Sequence, residues 1–141
     1  MLSLRTAYSS SLARVMQWMR GGLPISTISA VSLASLSDRA GESLILFDLR
    51  ELHEIERSGY SIPGALLTIH IDLRAMMRWV PRDSTVVLFA EDTIPQHDSR
   101  LRLPAKNLKM FALDGGLQSW CGAGLPLEPV ALSDRKWVDN R

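Results

Sequence analysis

The sequence predicts an α/β fold in three layers, with a central, mostly parallel sheet of four or five strands and helices on both faces. Three observations carry that expectation. Strand-like and helix-like segments alternate along the chain in the order β, α, β, α, β, α, β, α. The runs SLILFDL (Ser43–Leu49) and TVVLFA (Thr85–Ala90) are almost continuously apolar, as strands covered on both faces are. The chain has 141 residues, 46% of them hydrophobic and 22% charged, which suits one domain with a substantial core.

Taken in order, the first element is an amphipathic segment. Leu4, Tyr8, Leu12, Val15, Met16 and Met19 fall at helical spacing over residues 2–19, and Gly21, Gly22 and Pro24 stop the helix. Ile25–Leu36 starts extended and becomes a short helix that Ser29 or Ser32 can cap. Ser43–Leu49 is a buried strand, and residues 51–58 are charged and helical in pattern. Pro63 and Gly64 fix a loop, and Ala65–His70 holds a short strand. Asp72–Trp79 reads as a helix with Leu73, Met76, Met77 and Val80 on one side. Thr85–Ala90 is the most strand-like run and belongs at the sheet centre. A weak helical pattern from Gln96 is interrupted by Pro104, so that helix should be short or broken. Lys109–Leu113 is a strand, Asp114-Gly115-Gly116 breaks it, and Leu117–Gly122 starts the last helix. The resulting division is 1–24 for the basic amphipathic helix and linker, 25–130 for the domain, and 131–141 for a tail.

Composition removes several function classes. No run of 18 apolar residues exists, so no transmembrane helix is expected. The single cysteine, Cys121, excludes an internal disulfide framework and a cysteine-based zinc site. His53, His70 and His97 are not spaced as metal ligands, and neither metal nor cofactor is expected. The formal net charge of +1 gives no reason to expect nucleic acid as a partner. Residues 1–37 contain Arg5, Arg14 and Arg20 and no acid. The amphipathic helix of residues 2–19 has three readings: a helix packed on its own domain or on a homodimer partner, a membrane-surface helix, or a targeting segment if the source is eukaryotic. It lacks the features of a secretory signal, which favours a cytoplasmic protein.

Five stretches in sequence order resemble the rhodanese-like family, the sulfurtransferase fold shared with one class of phosphatases. ISAVSLASL (Ile28–Leu36) resembles its entry helix, and LILFDLRELHE (Leu44–Glu54) the strand and turn ending in Asp-x-Arg. SIPGA (Ser61–Ala65) resembles His-Ile-Pro-Gly-Ala, with Ser61 in place of His. PRDSTVVLFA (Pro81–Ala90) resembles the central strand leading into the active-site loop. ALDGGLQSWCGAGLPLE (Ala112–Glu128) resembles the last strand, the Gly-Gly turn and the helix with its buried Trp. The resemblance covers residues 28–128.

The resemblance implies a sulfur carrier at the end of the central strand. There a cysteine thiolate takes a sulfane sulfur and holds it as a persulfide, cradled by loop N–H groups that also lower its pKa. In this sequence that position holds Ala90, and a one-residue slip brings Phe89 or Glu91, none of them a nucleophile. The active-site-like loop continues Glu91, Asp92, Thr93, Ile94, Pro95, Gln96. Two carboxylates oppose an anionic substrate, and Pro95 removes a donor. His97 reads as a solvated surface residue. Asp48 and Arg50 match the family's Asp-x-Arg and are expected to support the loop.

Trp79 and Trp120 are expected to pack in the core, and Cys121 beside Trp120 reads first as a small buried hydrophobe. Trp18 is left as a core, interface or membrane-anchor residue, and Trp137, exposed among charges in the tail, as a docking contact or a residue without a role. The leading functional expectation is a rhodanese-like domain without catalysis, acting as a protein-binding or regulatory module. Glu91, Asp92, Arg100 and Arg102 would give its loop face mixed charge suited to a protein partner. Two alternatives remain: a divergent thiosulfate or persulfide sulfurtransferase using Cys121, and a domain held at a membrane surface by residues 1–22.

Overall fold

The computed structural model describes residues 25–40, 43–69, 72–101 and 108–130. The expectations for residues 1–24, for the tail 131–141, and for His70, Arg102 and Pro104 lie outside the described residues, and with them those for Trp18 and Trp137.

Five strands form one parallel sheet: β1 (Ser26–Ile28), β2 (Leu44–Asp48), β4 (Leu66–Leu67), β5 (Thr85–Phe89) and β6 (Lys109–Leu113). Their order is β1-β6-β5-β2-β4. β5 therefore sits in the middle, as its apolar run requires, with all four of Val86, Val87, Leu88 and Phe89 fully buried. Period-two alternation sends these side chains to opposite faces. Val87 and Phe89 join Leu46, Leu113, Leu117 and Trp120 on the first face. Val86 and Leu88 join Phe47, Leu73, Met77, Ile94 and Leu101 on the second.

α1 (Ala30–Ala40) and α4 (Gly116–Gly122) cover the first face. Ser29 starts α1 as expected, its Oγ accepting from the Ser32 N–H at 3.1 Å. α3 (Leu73–Met77) lies on the second face through Leu73 and Met77. α2 (Leu52–Ser58) follows β2 and ends at Gly59, whose φ of 73° lets the chain reverse. That reversal forms β3 (Tyr60–Ser61), which pairs antiparallel with β7 (Glu128–Pro129), a small second sheet that the sequence pattern did not signal.

The weak helix expected from Gln96 is, over its described part, a turn and one 3-10 turn at Ser99–Leu101. Local bonds account for this. The Asp98 N–H reaches the Pro95 carbonyl, and the Asp98 carboxylate takes the Arg100 N–H at 2.9 Å. No helix among the described residues is long and apolar enough to cross a membrane.

Candidate functional site

β2 and β4 lie on one side of the point where the strand order reverses, and β5 and β6 lie on the other. Crevices in open parallel sheets form at such points, outside the carboxyl ends of the strands. Here Asp48 ends β2, and Ala90 opens the loop after β5. The Leu49 N–H bonds the Phe89 carbonyl at 2.8 Å, which holds the two strand ends together.

Asp48 and Arg50 form a fully buried ion pair, with Nη2 to Oδ2 at 2.8 Å. Arg50 Nε donates to both carboxylate oxygens, at 3.0 and 3.2 Å, and its backbone N–H donates to Oδ1 at 3.1 Å. Ser61 Oγ adds a further donor to Oδ2 at 2.8 Å. Arg50 also donates to the Tyr60 carbonyl at 2.7 Å and reaches Glu91 Oε2 at 3.4 Å. Burial acts to lower the Arg50 pKa. The hydrogen bonds and charge of Asp48, and then Glu91, outweigh it and hold the guanidinium above its ordinary value. One carboxylate thus ties together β2, β3 through Ser61 and, through Arg50, the loop. Ser61→Ala removes a buried donor to this charge, and a loss of about 1–2 kcal/mol in urea denaturation is expected.

The loop is pinned on both flanks. The Ala90 carbonyl accepts from the Leu117 N–H at 2.9 Å, and the Glu91 carbonyl from the Gln118 N–H at 3.1 Å. The opening amides of α4 are therefore spent on loop carbonyls. Thr93 Oγ1 accepts from the Gly115 N–H at 2.6 Å and donates to Asp114 Oδ1 at 3.4 Å. Ile94 is buried in the second-face core. At the far end, Gln96 Nε2 donates to the Ile25 carbonyl at 3.3 Å.

The loop's acids are also engaged. Glu91 faces Arg50, and Asp92 Oδ1 accepts from the Thr93 N–H at 2.7 Å. The loop meets the nearby cation and one of its own amides with its own carboxylates. Asp98 and Arg100 form a forked pair beyond it, and Arg100 Nη1 donates to the Leu49 carbonyl at 2.8 Å. The hydrogen bond from Arg100 outweighs partial burial and lowers the Asp98 pKa. A carboxylate with a depressed folded pKa stabilises the fold above its unfolded value, about 3.9, and loses that contribution as pH falls through the folded value. Asp98→Asn is therefore expected to flatten the stability-versus-pH curve below about pH 4, read by urea midpoints across that range.

No protein-family model and no curated protein matches the chain. Solved structures do. A full-length protein from Lactobacillus plantarum superposes with a TM-score of 0.61 at 17% identity, over 87% of this chain and 99% of that one. A rhodanese-related protein from Thermoplasma volcanium gives 0.57 at 21% identity, over 73% and 97%. The rhodanese-like domain of an Anabaena protein gives 0.58 at 19% identity, over 74% and 79%. The chain has the rhodanese-like fold.

Within the rhodanese-like fold two expectations need correction. Cys121 is exposed, not buried. α4 turns Leu117 and Trp120, three residues apart, onto the core, and the next residue rotates outward. Trp79 is 87% exposed. α3 spends its buried face on Leu73 and Met77 and is capped at Arg78, so Trp79 falls on the turn beyond it. Trp120 packs in the core as expected, its Nε1 donating to the Pro126 carbonyl at 2.7 Å.

The structure brings Asp48, Arg50 and Ala90–Gln96 to one end of the sheet. Cys121 projects from the last turn of α4, and His97 is exposed. The partner roles of Ser61, Asp98 and Asp114 were not foreseen from the sequence. For Asp98 the spacing to Arg100 was a readable signal of a local pair, whereas the Ser61 and Asp114 contacts join distant segments. Among the described residues no group of three or more His, Cys, Asp or Glu can hold a metal ion.

Proposed function

We propose that this rhodanese-like domain does not carry sulfur and acts instead as a protein-binding or regulatory module through its 90–96 loop. The observation that carries the reading is Ala90 at the carboxyl end of the central strand, where the fold's sulfur chemistry requires a thiolate. The loop's charge supports it. An incoming thiosulfate would meet the Glu91 and Asp92 carboxylates, already bonded to Arg50 and to the Thr93 amide. A partner protein can instead pair with these acids at the rim.

The test has two arms. Titration with millimolar thiosulfate is expected to leave the amide signals of residues 91–96 unmoved, and saturable shifts there would contradict the reading. Affinity capture from the source organism's extract is expected to recover a protein with the native chain and to lose it with Asp92→Lys. Equal recovery by both would remove the loop as the binding face.

A second reading is favoured by one observation, the exposure of Cys121. An accessible thiolate there can attack the outer sulfur of thiosulfate, releasing sulfite and leaving a persulfide.

A further inference from the structure

α3 turns a basic and aromatic face outward. Leu73 and Met77 are buried, and Met76 and Val80 are half-buried against the second core. Arg74, Ala75, Arg78 and Trp79 are left exposed, followed by Pro81 and Arg82. Trp79 is the most exposed of the large hydrophobic side chains among the described residues.

The arginines beside it are unpaired. Among the described residues none of Arg74, Arg78 and Arg82 makes an ion pair. The acids nearest in sequence are Asp72 and Asp83, one at each end. Asp72 Oδ1 accepts from the Arg74 N–H at 3.0 Å and caps α3. Asp83 stands past the turn, at a φ of 67°. Solvated faces ordinarily intersperse both signs, whereas the stretch between these two acids presents three cations and an indole.

We propose that this face of α3 binds the anionic surface of a lipid bilayer. Tryptophan is favoured at headgroup level, where one end of the ring meets apolar groups and the other meets water. Arginines beside it pair with lipid phosphate and carboxylate groups. Shape decides the partner class. A convex helix face with a projecting indole encloses no small ligand, and mobile headgroups meet it without a matching pocket. The position leaves the 90–96 loop free. The turn at 81–84, closed by the Ser84 N–H on the Pro81 carbonyl at 3.3 Å, leads from Trp79 into β5. β5 then runs about 17 Å to Ala90. The bilayer contact and the loop lie at opposite ends of that strand, so the inference is independent of what the loop binds.

The experiment sediments the full chain with phosphatidylcholine vesicles, with and without about 30% phosphatidylserine. Binding is expected to the anionic vesicles alone. Arg74→Gln with Arg78→Gln is expected to weaken it about thirty-fold, and Trp79→Ser about ten-fold. Both variants should keep the native urea midpoint, because the replaced side chains are exposed. Equal binding by native and variant chains would overturn the proposal, since another part of the chain would then hold the vesicle. Equal binding to neutral vesicles, or none by the native chain, would overturn it too. Retention on immobilised polyglutamate in that last case, lost in the same variants, would assign the face to an acidic protein instead.

Discussion

Replacing Asp48 by alanine is expected to lower stability by about 3–5 kcal/mol, read as a fall in the urea midpoint. The substitution leaves Arg50 buried with no counter-charge on its Nε side. It also strands the Ser61 hydroxyl, which now donates to that carboxylate. Glu91 at 3.4 Å has a side chain 37% exposed and is a weak substitute. The double replacement Asp48→Leu with Arg50→Met is expected to lose much less than the two single changes summed, because it removes both buried charges together. Additive losses would mean that the pair contributes little beyond the packing of its two side chains.

Gly116→Ala has the second large expected effect, about 2–5 kcal/mol. Gly116 has a φ of 57°, a conformation that costs an L-residue about 1–2 kcal/mol. An added Cβ would lie 2.6 Å from the Ala90 carbonyl oxygen and 2.7 Å from that of Asp92. Both are backbone atoms, the Ala90 carbonyl held by the Leu117 amide of α4, and forcing them away costs about 1–3 kcal/mol more. The damage should be local to the loop. Amide exchange at residues 90–94 and 117–118 is expected to rise more than exchange along β2. Uniform acceleration across the sheet would show that the glycine serves the whole fold instead.

Much of the architecture was legible in the sequence because strand burial writes itself into composition. The apolar runs around Phe47 and Leu88 can only be covered on both faces, and that fixes their central places in the sheet. Turns marked by Pro63-Gly64 and Gly115-Gly116 were legible for the same local reason. The misreadings arose where a side chain's neighbours in sequence outvoted its direction. Trp79 is large and apolar, yet it lies past the last turn of a five-residue helix. Cys121 adjoins a core tryptophan, and adjacency on a helix means a different face.

At the site, the Asp48–Arg50 pair was readable as a motif. Ser61 entered as a departure from the resembled pattern, and its hydroxyl turns out to complete the buried pair. The contacts of Asp114 with Thr93, and of Gln96 with Ile25, depend on segments more than twenty residues apart. No local pattern encodes such contacts.

The proposal that the domain does not carry sulfur is tested most directly by the intact mass of the purified, reduced chain after incubation with thiosulfate. With Ala90 after the central strand and the loop's anions supplied by Glu91 and Asp92, the mass should not change. A gain of one sulfur atom that cyanide removes as thiocyanate would contradict this. It would place a persulfide on Cys121, the chain's single thiol, and make the protein a sulfurtransferase whose nucleophile sits on α4.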